Sequence, residues 1–122
     1  MGLKNIFNRK KEDFTNYDCN DFAREFKLAY EKDDIKMMNT LINNWYDIGE
    51  NDANLKLAIV LLAFKEGRRD YDVVYGMVGE AFEMEAVDFR LFDWYKSTAM
   101  TLIQNQWASL FEKLEKSGIR FV

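Results

Sequence analysis

The sequence has no histidine and no proline, one cysteine and only six glycines in 122 residues. Without histidine there is no side chain that ordinarily titrates near neutrality, no Ser-His or Cys-His nucleophile pair, and no usual zinc ligand. The lone Cys19 cannot close an internal disulfide, which fits a reducing, cytoplasmic setting. Average usage would bring about six prolines; strong helix formers dominate in their place, which points to helices. Long apolar runs are also missing. The longest, Leu57 to Phe64, is eight residues, against the ~18 that a membrane span needs. The N-terminus lacks the apolar stretch of a signal peptide, and Ile6 stands where a myristoylation pattern wants Ser or Thr.

The residues present describe a folding chain. Apolar types make up 48 %, including 19 aromatics, enough for one domain to bury roughly two thirds of its unfolded surface. Net charge is −4, unevenly placed. Residues 1–11 carry Lys4, Arg9, Lys10 and Lys11 and no acid, while the remaining 111 hold 13 bases against 21 acids, a balance of −8. An acidic body argues against nucleic acid, whose binding runs on phosphate neutralisation, and favours basic protein partners. The chain divides into a basic segment 1–18, read as a frayed start or a docking helix with a short amphipathic stretch able to touch an anionic membrane, a domain 19–118, and a tail 119–122.

Sparse turn signals leave helix-length segments at about 20–31, 35–46, 55–66, 71–84, 90–103 and 107–116. Tyr71, Val74, Tyr75, Val78, Ala81 and Phe82 recur at helical spacing behind Asp70, a plausible N-cap. Between Leu55 and Phe64 only Lys56 is polar. A helix apolar all round must be surrounded by others, so this segment is expected at the centre, capped by Asn51 or Asp52 and ended by Gly67.

The chain also resembles itself. Leu28-Ala29-Tyr30-Glu31-Lys32 recurs 34 positions later as Leu62-Ala63-Phe64-Lys65-Glu66, and Asp34 to Leu55 aligns on Asp70 to Leu91 at an offset of 36. Ten turns of helix also span 36 residues, so the loops carry the evidence: Asp52 with Leu55 meets Asp88 with Leu91. A period of this length matches a helix-turn-helix unit. Asp70-Tyr71-Asp72-Val73-Val74, then Gly79-Glu80-Ala81-Phe82-Glu83-Met84 and Asp88, resembles the second helix of a tetratricopeptide repeat; Ala29-Tyr30 and Ala63-Phe64 resemble its first. The likeness spans about residues 20–117 and departs from the family at Ala86, the place of its proline. It implies an all-α fold of six helices in three antiparallel hairpins, wound as a right-handed superhelix. The concave groove of such a stack is lined by the first helix of each pair, here with Arg24, Lys27, Glu31 and Lys65.

Several constellations stand out. Glu80, Glu83, Glu85, Asp88 and Asp93 form an acidic stretch balanced only by Arg90. It reads as a solvated face or a surface for a basic partner. No ExxH pattern, calcium loop or other metal or cofactor signature accompanies it. Gly76 and Gly79 interrupt a helix at about 1 kcal/mol each against Ala, which points to close helix packing. In Trp45-Tyr46 and Trp94-Tyr95 adjacent rings point about 100° apart, so both of a pair rarely fit one core; they read as core or rim packing, or, where one ring is exposed, as interface anchors with Trp45 and Trp94 the candidates. Cys19, near a helix start, is a candidate for a lowered pKa. The tail from Gly118 alternates like a short strand, able to cap the last hairpin or to join a partner's sheet. Together these features point to a non-catalytic protein- or peptide-binding module, in its sharpest form an immunity- or inhibitor-type protein capping a basic partner. The other reading is a homo-oligomeric adaptor.

Overall fold

The computed structural model describes residues 14, 16–48, 52–68, 70–84 and 89–119, of Phe89 the backbone only. They form six helices and no strand: α1 (Cys19–Glu31), α2 (Ile35–Ile48), α3 (Ala53–Lys65), α4 (Tyr71–Glu83), α5 (Phe89–Gln106) and α6 (Ala108–Lys116). The all-α expectation holds, and consecutive helices pack as pairs: α1 with α2, α3 with α4, α5 with α6. Residues 1–11, Asn51, Glu85, Ala86, Asp88 and the tail beyond Ile119 lie outside the described residues.

Aspartates start the helices. Asp18 and Asp21 form a reciprocal capping box at α1. Asp34 accepts the Met37 amide at 3.1 Å, Asp52 that of Asn54 at 3.0 Å, and Asp70 that of Val73 at 3.3 Å. The two copies of the internal repeat end their helices alike. Asp33 and Gly67 both take positive φ, 60° and 76°, and both turns close with the same pair of bonds. Asp33 and Asp34 donate to Tyr30 and Ala29, as Gly67 and Arg68 donate to Phe64 and Ala63. The repeated pentapeptide is therefore a repeated turn, with carbonyls of the last helical turn satisfied by a left-handed residue.

Nine of the 13 residues of α3 are buried, and the helix packs against α1, α2, α4 and α5. It is the central element that its apolar run requires. Its one polar residue between Leu55 and Phe64, Lys56, extends to Glu80 on α4, with Nζ 2.9 Å from the carboxylate.

Around α3 lies an aromatic core. Trp45 stacks on Phe22 at 6.1 Å between ring centroids and meets Tyr95 edge-on at 6.3 Å. Phe26 stacks on Tyr95 at 6.0 Å and Tyr30 meets Trp94 at 5.6 Å. The Tyr95 hydroxyl donates to the Ala23 carbonyl at 2.7 Å. These contacts join α1 directly to α5.

Candidate functional site

The structure separates the residues singled out in the sequence into a core group and two surface groups. Trp45 belongs to the core. It is fully buried, and its Nε1 donates to Asp52 at 2.8 Å. The expectation of Trp45 as an interface anchor is corrected: its phase on α2 points it at α1 and α5, and its neighbour Tyr46, 59 % exposed, takes the outer position. The second pair divides likewise, with Tyr95 buried and Trp94 half-buried.

Asp52 links three elements. It caps α3, accepts from Trp45 of α2 and lies beside the Cys19 thiol of α1. Burial raises its carboxyl pKa, while the hydrogen bonds from the Asn54 amide, Trp45 and Cys19 pull the other way. Burial and the neighbouring Asp52 charge also raise the Cys19 thiol. The lowered pKa expected at the start of α1 is thus reversed, because partial desolvation and a carboxylate oppose thiolate formation.

The first surface group lies between α1 and α5. Arg24, Lys27, Leu28, Arg90, Leu91 and Trp94 line a shallow depression of about 480 Å³. Lys27 Nζ lies 5.4 Å from the Trp94 ring and Lys65 Nζ 4.5 Å from the Tyr30 ring. The sequence-predicted residues Arg24, Lys27, Glu31, Lys65 and Trp94 therefore do converge on one face. Their charges are answered locally: Arg24 pairs with Asp21, Lys27 with Glu31 at 3.5 Å, and Lys65 with Asp33. Such exposed pairs contribute under about 1 kcal/mol each.

The second surface group is the outer face of α4. Gly76, Gly79, Glu80 and Glu83 follow at i, i+3, i+4 and i+7, opposite the buried Val74, Val78 and Ala81. They line an open cavity of about 650 Å³ with Tyr75, Phe82, Lys96, Ser117 and Ile119. The close packing expected at Gly76 and Gly79 is overturned, since a Cβ built on either meets no atom within 4 Å. The glycines form the floor of a notch. Its far wall is set by the end of α6, where the Ser117 hydroxyl lies 2.7 Å from the Tyr75 hydroxyl. A turn at Gly118, φ 95°, brings Ile119 alongside. Glu80 is paired with Lys56, and Lys96 is paired with Asp93 at 3.7 Å while lying over the Phe82 and Phe92 rings. Glu83 has no cation partner among the described residues. Of the acidic stretch, Glu80 and Glu83 meet at the notch, Asp93 flanks it through Lys96, and Glu85 and Asp88 lie outside the described residues.

Among the described residues no three Cys, Asp or Glu side chains converge as metal ligands, and no helix is long and apolar enough to cross a membrane. Comparison with family models, curated proteins and solved structures gives no match. The notch itself was hidden in the sequence. Its one local signal was a pair of helical glycines three apart, and the same pair equally describes a tight helix crossing.

Proposed function

We propose that the protein is a non-catalytic helical binding module that holds a basic protein partner on the outer face of α4. The observation that carries this reading is the notch: two helix-weakening glycines open a cavity that nothing in the described chain fills, with Glu80 and Glu83 on its lining. The acidic balance of the body favours approach of a cationic surface and speeds encounter. A module of this kind suits an immunity- or inhibitor-type role, in which covering the partner's basic surface is the whole function. The test is capture by the wild-type chain and by a Glu80→Lys/Glu83→Lys double variant. A basic protein held by the first and released by the second supports the reading. Undiminished capture by the double variant counts against it.

A second reading, self-association, draws on the α1–α5 face, where Leu28 is 47 % exposed beside Leu91 and Trp94. Light scattering separates the two: a dimer dissolved by Leu28→Glu favours self-association, and a monomer favours the module.

A further inference from the structure

We propose that Asp33 sits in its turn for its carboxylate, as the anchor of a latch that holds the ends of α1 and α3 and the start of α5 in one arrangement. The two turns of the internal repeat close with the same hydrogen bonds, yet their left-handed positions differ in kind, Asp33 at φ 60° and Gly67 at φ 76°. Glycine takes that region without steric penalty, whereas a side chain there works against the fold. By turn chemistry alone glycine is the better residue at 33, so the aspartate has another reason to be there.

That reason is the ion pair formed 32 positions on, where the Asp33 carboxylate meets Lys65, the last residue of α3. Lys65 Nζ stands 4.5 Å from the centre of the Tyr30 ring, and Tyr30 meets Trp94 edge-on at 5.6 Å. Lys27, 5.4 Å from the Trp94 ring, pairs in turn with Glu31 at 3.5 Å. Carboxylate, ammonium, two rings, ammonium and carboxylate follow one another in a single run across α1, α3 and α5. The repeat is inverted in charge at these positions: Glu31-Lys32-Asp33-Asp34 of the first copy stands against Lys65-Glu66-Gly67-Arg68 of the second. Turns of one shape therefore meet as opposites, Asp33 on Lys65, and Asn39 of α2 adds a bond to Glu66 at 3.1 Å. Asp33 is a positioning residue: it fixes Lys65 on the Tyr30 ring and, through that ring, Trp94. Because Trp94 and Lys27 line the α1–α5 depression, the latch sets the shape of that face.

The test is a double-mutant cycle in thermal melting, Asp33→Gly against Lys65→Met, which keeps the apolar stem at 65 and removes its charge. In wild type, Asp33→Gly relieves the turn but loses the ion pair, and is expected to change the melting temperature by no more than about 1 °C. In the Lys65→Met background, Asp33 is an unpaired acid at the C-terminal end of α1, and the same substitution is expected to raise melting by roughly 3 °C. The difference between backgrounds should shrink in about 1 M salt, where the screening length falls to about 3 Å. An NMR readout separates positioning from plain stability. The Lys65 ε-methylene protons are expected upfield in wild type, shielded by the Tyr30 ring, and nearer their free-chain position in folded Asp33→Gly. The Trp94 indole N–H is expected to move with them while that of Trp107 stays in place. Equal gains from Asp33→Gly in both backgrounds, or Lys65 and Trp94 signals unmoved in folded Asp33→Gly, would each overturn the latch.

Discussion

At the scale of single residues, Asp52 carries more structure than any other polar side chain described. It caps α3, receives the buried Trp45 indole and neighbours Cys19. Asp52→Ala removes a cap and leaves Nε1 without an acceptor, an expected loss of about 2–4 kcal/mol in chemical denaturation. Asp52→Asn keeps an acceptor oxygen and is expected to lose less than half of that. The pH dependence follows from burial, which makes ionised Asp52 harder to hold in the folded chain than in the unfolded one. The native state binds this proton more tightly, so the Asp52 contribution is greatest at low pH and declines as pH rises through its raised native pKa. Comparing melting curves of wild type and Asp52→Asn across pH 4–7 checks this: their difference should widen toward the acid end. The other residue-scale contrast is Trp45 against Tyr46. Trp45→Ala opens a core cavity at about 3–5 kcal/mol, whereas Tyr46→Ala, at an exposed position, should stay within about 0.5 kcal/mol of wild type.

At the scale of helices, α4 is the element whose sequence works against its own stability. With open space at both glycines, Gly76→Ala and Gly79→Ala should each raise stability by up to about 1 kcal/mol, read as a higher melting temperature. Equal or lower melting would mean that the glycine backbone is needed by the fold itself. The same helices show what a sequence discloses. The apolar run 55–64 announces a central helix because solvated alternatives would expose it all round. Asp70 and Gly67 mark ends because capping and left-handed turns are local chemistry. Which ring of an adjacent aromatic pair turns inward depends on the angular position of neighbouring helices, so Trp45 and Tyr46 were separable in kind but not by name. The glycines were legible as a weakness in α4, and whether a neighbour fills that weakness is settled only by the placement of α6 and Ile119. The joining of α1 to α5 through Phe26, Tyr30, Trp94 and Tyr95 comes from residues more than 60 positions apart and leaves no mark in a local pattern.

At the scale of the whole molecule, those ring contacts and α3 make one cooperative body. Leu57, Ala58, Val60 and Leu61 are each no more than 1 % exposed, and their surroundings are supplied jointly by α1, α2, α4 and α5. Leu61→Ala should cost about 2–5 kcal/mol, with a single unfolding transition retained in both circular dichroism and tryptophan fluorescence. The burial of α3 has a further consequence. A segment with so little polar surface has no soluble existence outside its sheath, so a fragment ending after α3 or beginning at it would aggregate instead of persisting as a smaller unit.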